Sequence, residues 1–379
     1  MQTALKRIST GLLMGWVALA PTALVAETGS PGITRPVVFA PFNPDAPPCA
    51  KPPNLKKNLE FVQENAREFL EGVNLGLAMA AKDRDLAYSR VVVENDIAKA
   101  NQEITAFRDH KGGALIATSS DPRAVSESIK QVIWSGAYVG TVVPPPATLL
   151  LNAPQYETGK VLTDAAVAYI KTKLGGKATV VLLTQDSMQY LSPRFEAMRR
   201  GLDELPGVTV VADIAPTPVT KEGGFVTMNA VLLANPDIDV VLGADSVVLG
   251  ALQALRAAGK ARPDQFLGGI DGEPEAVAEI KKGDSPYKVS IALSSPVFGY
   301  ALGQYGADWL EGKSIPQAMD ILPTALSIEN IKHYEEDRQN PAAVFSDPAH
   351  RASYLKMYGN TCYDTRDQYV NFPWSSENK

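Results

Sequence analysis

Two α/β lobes, each a doubly wound parallel sheet, are predicted by three observations. From Leu55 onward, short apolar runs alternate with amphipathic segments of helical length, which is the grammar of βαβ units and a parallel sheet. The alternation breaks at Pro144-Pro145-Pro146 and Asn152-Ala153-Pro154, a stretch that cannot sustain a helix, and then restarts. In the second series two neighbouring apolar runs stop at an aspartate before a helix-like segment, within Asp237 to Gly250 and within Phe266 to Gly272. Side chains at the carboxyl ends of strands in an open parallel sheet point into the crevice where ligands bind. Asp245 and Asp271 are therefore expected to look into one cleft.

Ahead of the first strand, Lys6 and Arg7 precede an apolar stretch, Gly11 to Ala20, that closes at Ala23-Leu24-Val25-Ala26. This three-part pattern predicts a cleaved secretory leader over residues 1–26. The apolar run is too short to span a bilayer, and Pro21 interrupts it. Residues 27–54 are rich in proline, from Pro31 through Pro52 and Pro53, and read as an extended arm, since proline disfavours helix and central strand alike.

The first series then predicts strands at 58–63, 89–93, 114–117 and 138–143, with helices at 67–81, 98–108 and 124–135 between them: one lobe of four strands. After the proline-rich break the second series predicts strands at 178–184, 208–214, 239–243, 265–270 and 288–293. Its helices fall at 158–173, 193–205, 224–234, 246–258 and 274–281. Ser294-Ser295-Pro296 leads into a further helix, 297–311, and 324–328 forms a last strand. Residues beyond Glu329 are charged and aromatic without a clear period, and are expected to pack as a tail over the surface.

Composition narrows the function classes. With 45% apolar and 21% charged residues among 379, the chain has the makings of an ordinary globular protein large enough for two lobes. The formal charge of −6 becomes −8 once Lys6 and Arg7 leave with the leader, and no basic stripe points to nucleic acid. Three histidines, His110, His333 and His350, form no i, i+4 zinc pair, and neither a Gly-x-Ser-x-Gly elbow nor a phosphate-binding loop is present. No catalytic, metal or cofactor site is expected. Glycoside hydrolysis needs two acids across a scissile bond, whereas Asp245 and Asp271 come from one lobe side by side, which suits holding a ligand. The two cysteines, Cys49 and Cys362, flank almost the whole folded region, and an oxidising compartment permits a bond between them.

Val240 to Lys260, followed by Gly-Gly-Ile-Asp-Gly-Glu-Pro-Glu-Ala-Val and Ala-Leu-Ser-Ser-Pro, resembles the second lobe of periplasmic sugar-binding proteins of the ribose-binding type. Phe69 to Ala80, Asn95-Asp96 with Ala100-Asn101-Gln102, and Ser192 to Leu205 followed by Pro206-Gly207-Val208 fit the same register, so the resemblance covers roughly Lys57 to Ile328. It implies two lobes joined by three crossings, near Leu150–Asn152, Ala292–Ser294 and Asp320–Pro323. The amino-terminal lobe would comprise 55–150 plus 296–319, the carboxy-terminal lobe 151–295 plus 320–329, and the tail 330–379. It further implies a periplasmic, non-enzymatic monomer that closes on a sugar, polyol or related small molecule by hinge motion and delivers it to an ATP-driven (ABC) importer. The long arm and tail raise an alternative, a sensor subunit signalling to a membrane kinase or chemoreceptor.

Site residues follow partly from position and partly from this resemblance. Arg194 lies in the first turn of a helix, after a capping Ser192 and Pro193, where a positive charge opposes the helix dipole and where the family places its ligand-binding arginine. Asp271 would accept hydrogen bonds from ligand hydroxyls, as the matching family residue does, or cap the next helix. Asp245 reads first as an N-cap, with the family's contacting asparagine replaced by Ala244. Ser294 stands where the family has glutamine and would contact ligand or serve the hinge. Glu64, Asn65 and Phe69 would line the opposite wall, Phe69 as a sugar-facing ring or as core. Gln185 and Asp186 would contact ligand or cap the next segment. Where such binders carry an Asp-Arg pair this chain has Val143-Pro144, which leaves room for a polyol, a furanose-like molecule or a less polar ligand.

Overall fold

The computed structural model describes residues 32–119, 121–142 and 146–377. The expected leader and the Val143-Pro144 step lie outside the described residues. The first series runs β1 (Asn58–Gln63), α1 (Glu68–Asp83), β2 (Ala87–Val92), α2 (Ile97–Asp109), β3 (Ala114–Ala117), α3 (Pro122–Trp134), β4 (Tyr138–Thr141) and β5 (Leu149–Asn152). The second runs α4 (Gln155–Lys173), β6 (Ala178–Leu183), α5 (Ser192–Asp203), β7 (Val208–Ile214), α6 (Lys221–Ala234), β8 (Val240–Gly243), α7 (Asp245–Ala257), β9 (Phe266–Ile270), α8 (Pro274–Lys281) and β10 (Tyr287–Ala292). The chain then returns through α9 (Ser295–Glu311) and β11 (Ala318–Ile321) to β12 (Thr324–Leu326). It ends in α10 (Ile331–Gln339), α11 (Pro341–Ser346), α12 (Pro348–Ala352), β13 (Leu355–Tyr358) and a 3-10 turn, Tyr363–Gln368.

These strands make two sheets. The first is seven-stranded, in the order β13-β11-β5-β4-β3-β1-β2, and the second six-stranded, in the order β12-β10-β9-β8-β6-β7. Each is parallel except at one edge, where β13 pairs antiparallel with β11 and β12 with β10. Inner strands such as β3, β8 and β9 are buried along their whole length because helices cover both faces, which is why they read as continuous apolar runs. Local chemistry sets the helix starts: Asp96 caps α2 by accepting from the Lys99 amide at 3.0 Å, and Asp121 caps α3 ahead of Pro122. Phe61, Tyr138 and Trp309 fill the first core, and Phe195, Met198 and Phe266 the second.

The lobes are joined at Ala153-Pro154, Leu293-Ser294 and Leu322-Pro323, where the chain leaves one sheet for the other. The first crossing lies later than Leu150–Asn152, because those residues are paired as β5 in the first sheet. That strand and β11 were missed: Leu-Leu-Leu-Asn is short and hemmed by proline, and Ala-Met-Asp-Ile has no alternation to detect. The first lobe consequently has more strands than the four expected. Asp320 of β11 ties the hinge strands together, accepting from Asn152 Nδ2 at 2.7 Å and from Tyr358 OH at 2.9 Å.

The tail is a correction of substance. It does not merely lie over the surface: β13 adds an edge strand to the first sheet, and the arm continues outward from it, with Phe42 N donating to Met357 O at 3.0 Å. A disulfide between Cys49 and Cys362 joins arm and tail, with Cα atoms 5.5 Å apart. The chain's end then reaches the second lobe, where the Glu377 carboxylate accepts from the amides of Tyr156 and Glu157 at the start of α4. Among the described residues, no helix is long and apolar enough to cross a membrane.

Candidate ligand-binding site

In both sheets the strand order reverses, between β1 and β3 in the first and between β6 and β8 in the second. Such switch points open a crevice at the carboxyl ends of the strands. The candidate cleft is framed there by segment 64–67 on the first lobe and by Arg194 and the 271–273 turn on the second; Asp245, expected to look into the cleft, is instead fully buried beneath that turn.

Arg194 sits in the first turn of α5 and is buried. Ser192 does not cap the helix; the N-cap is Leu191, and the Ser192 hydroxyl turns to Asp186 instead, at 3.4 Å. Helix α4 packs closely against this turn, because a Cβ on Gly159 would fall 1.9 Å from the Arg194 carbonyl oxygen. The guanidinium donates from Nε to Gln155 Oε1 at 2.8 Å, a neutral partner from the start of α4, and makes no carboxylate ion pair among the described residues. Burial depresses its pKa, opposed by the charges of Asp271 and Tyr190. A buried cation held by one amide retains donors for a further acceptor.

Asp271 follows β9 with φ of 120°, a conformation L residues rarely adopt, at a cost of roughly 1–3 kcal/mol. It caps no helix, since α8 starts at Pro274 with Glu273 as N-cap. Asp271 is exposed to solvent. Desolvation by the surrounding protein raises its carboxyl pKa, opposed by Arg194 of its own lobe and Arg67 of the other. Glu273 is pushed up to about 7 by burial and then by the carboxylates of Asp271, Glu275 and Glu68, the last from the start of α1. The two walls thus face one another across this seam.

Asp245 overturns the N-cap expectation. It is the first residue of α7, and its side chain turns inward. Oδ1 accepts from Tyr287 OH at 2.7 Å, and Oδ2 from Ser290 Oγ and the Glu273 amide, each at 2.7 Å. Ser290 Oγ in turn accepts from the Gly272 amide at 3.0 Å. A Cβ on Gly269 would fall 1.8 Å from Asp245 Oδ1, so glycine there is required by this carboxylate. Burial pushes the Asp245 pKa up to about 7, with the bonds from Ser290 and Tyr287 opposing and Asp271 adding to the rise. Asp245 therefore holds the 271–273 turn in place.

The first wall is tied to itself. Glu64 pairs with Arg67 at 3.2 Å, and its amide donates to Thr118 Oγ1 at 2.8 Å. Asn65 donates to Asn95 Oδ1 at 2.9 Å and accepts from the Arg67 amide at 3.2 Å. Phe69 packs in the core interface with its ring 5.6 Å from Phe298 of α9. Asp186 is taken up by Arg199, which also pairs with Asp213, and that bond lowers the Asp186 pKa. Gln185, two residues past the end of β6, is buried. Ser294 is buried in the second crossing and faces Tyr334 of α10, whose phenol burial pushes up to about 12, with Arg338 and Ser294 opposing.

Five residues escaped the sequence reading: Arg67, Glu273, Gln155, and Tyr287 and Ser290, which carry Asp245. Only Gln155 left a trace, as a polar residue directly after the crossing proline. A pocket of ≈ 290 Å³ lies between Glu68, the segment from Gly272 to Lys281, and Tyr334, Glu335 and Arg338 of α10, so the tail walls one side of the seam.

Residues 61–314 match the family described as "Periplasmic binding protein domain". The chain is 28% identical over 298 residues to the ribose import binding protein of Bacillus subtilis, covering 73% of this chain and 90% of that protein. It is 32% identical over 218 residues to that of Salmonella typhimurium, covering 54% and 69%. The solved structure of a periplasmic ribose ABC transporter protein from Conexibacter woesei superposes with a TM-score of 0.65 at 20% identity, covering 74% of this chain and 95% of that one.

Proposed function

The chain belongs to the periplasmic binding protein domain family, and from that premise we propose that it captures a sugar or sugar-like small molecule between its lobes and hands it, unaltered, to an ABC importer. The observation that carries this reading is the pair Arg194 and Asp271. They are coupled electrostatically, yet among the described residues they form no ion pair with each other. A hydroxylated ligand between them would accept from the guanidinium and donate to the carboxylate, the charge-assisted bonds a polyhydroxy compound offers best. Relatives named for import of ribose and of D-apiose support the ligand class. Closure would be a population shift, since ligand contacts both walls only when they meet.

Export to the periplasm, a monomeric state and the absence of catalysis belong to the same reading. The arm and tail that raised the sensor alternative complete the first sheet, which gives them a use within the fold itself. Thermal-shift screening with pentoses, hexoses and cyclic polyols, followed by calorimetry and small-angle scattering, tests the proposal. One sugar that raises Tm and compacts the protein is expected. No shift with any of them, or turnover of the bound compound, refutes it.

A further inference from the structure

Outside the cleft, two of the chain's three histidines converge on one buried carboxylate. His333 and Asp337 lie one turn apart on α10, and His350 approaches from α12. His350 Nε2 is 2.9 Å and His333 Nε2 3.6 Å from Asp337 Oδ2, and the three donor atoms all lie within 4.8 Å of one another. The two imidazole rings are parallel, with centroids 5.5 Å apart. From these observations we propose that His333, Asp337 and His350 bind one divalent transition-metal ion of the zinc type.

Tetrahedral zinc with bonds of about 2.0–2.1 Å to nitrogen and oxygen sets its ligand atoms roughly 3.3 Å apart, which the two measured separations bracket. Imidazole and carboxylate donors together suit zinc and its borderline neighbours rather than calcium or magnesium. The surroundings are those of a built site. Asp337 is buried, and its Oδ2 accepts from Tyr354 OH at 2.7 Å, which leaves its other lone pair for the ion. Glu336 Oε2 lies 4.0 Å from His333 Nδ1, the nitrogen that would carry the proton when Nε2 binds metal. His333 is largely exposed, so a fourth position faces water. The ion would staple α10 to α12. All three residues lie beyond the 61–314 stretch shared with the family, so the site is a property of this chain's tail and does not depend on which ligand the cleft takes.

A purely structural His350–Asp337–Tyr354 network is the competing account, and His333 separates the two, because its mostly exposed ring adds little to the metal-free fold. The test titrates tag-free, chelator-treated full chain with Zn²⁺ by calorimetry, with metal content and Tm as further readouts. One Zn²⁺ per chain and a Tm raised by several degrees are expected. His333→Gln should leave the metal-free Tm within about a degree of the parent. It should weaken Zn²⁺ by at least the roughly 10–100-fold that loss of an outer partner costs. Tyr354→Phe should weaken it within that same range, and His110→Gln should bind as the parent does. Zn²⁺ binding that survives His333→Gln unchanged, or an absence of binding in the parent chain, overturns the proposal.

Discussion

The two walls of the cleft differ in where their polar groups spend their hydrogen bonds. On the first lobe, Glu64, Asn65 and Arg67 are paired with one another and with Thr118 and Asn95. On the second, the inner network of Asp245, Tyr287 and Ser290 is fully paired, and it is used to hold out Asp271, which with Arg194 keeps capacity for an outside partner. A satisfied wall can close on a ligand but gains little per contact. An under-paired, prearranged wall supplies strong charge-assisted bonds. The second lobe should therefore bind first and dominate the affinity.

The sharpest test of that asymmetry is Arg194→Ala. It removes the strongest cationic influence on Asp271 and the donors that a ligand in the cleft would meet. Truncating one partner of a buried charged contact costs about 2–5 kcal/mol, or roughly 30- to several-thousand-fold in Kd. Calorimetry with the sugar found by screening reads this directly. A loss under about fivefold would break the comparison.

The lobes also differ in covalent support. The Cys49–Cys362 bond closes a loop around both lobes but fastens segments that pack on the first. Replacing both cysteines by serine should destabilise the first lobe by about 2–5 kcal/mol. Calorimetric unfolding would then separate an early first-lobe transition from a later one of the second lobe, whose sheet makes no use of arm or tail strands. Uniform lowering of one unsplit transition would mean the lobes unfold as one.

How far the sequence discloses this asymmetry depends on the physical kind of each feature. Long periodic elements were legible: the predicted strand bounds at 58–63, 114–117 and 208–214 coincide with β1, β3 and β7. Short strands beside proline, β5 and β11, were not, because their pairing partners are distant in sequence and decide their state. That Arg194 and Asp271 lie near enough to couple electrostatically was foreshadowed by strand ends and a shared motif. The inward turn of Asp245 did not, because an aspartate before a helix looks like a cap until Tyr287 and Ser290 are known to lie beneath it. The tail's β13 likewise becomes a strand only through β11, and the histidine cluster spans two helices, so spacing along one of them could not show it.

Asp245 gives the second wall a pH dependence of its own. Its pKa in the fold, about 7, lies above the ordinary 3.8. Between those values the folded protein holds a proton that the unfolded chain has released. Its contribution to stability is complete below about pH 4 and is lost as pH rises through 7. Three pKa units correspond to at most about 4 kcal/mol. Asp245→Asn can keep an oxygen toward Ser290 and the Glu273 amide without a charge. Urea unfolding at pH 5 and pH 8 should show the variant gaining on the parent at the higher pH. Parallel profiles would mean that the buried carboxylate stays ionised and does not feel its surroundings in this way.

The smallest expected effect belongs to the first wall and completes the asymmetry. Asn65→Ala removes a side chain already committed to Asn95 and the Arg67 amide, so any bond it lends to a ligand is a neutral one shared with those partners. Neutral hydrogen bonds contribute about 0.5–1.5 kcal/mol net, a loss of roughly tenfold or less in affinity. The cost should fall on closure rather than on capture, because the second wall still holds the ligand while the first docks less firmly. Calorimetry should thus show a modest rise in Kd, and scattering a less complete compaction at saturating ligand. If Asn65→Ala instead cost as much as Arg194→Ala, the self-paired wall would have to reorganise toward the ligand on closing, and its hydrogen bonds in this conformation would be those of a resting state rather than of the bound one.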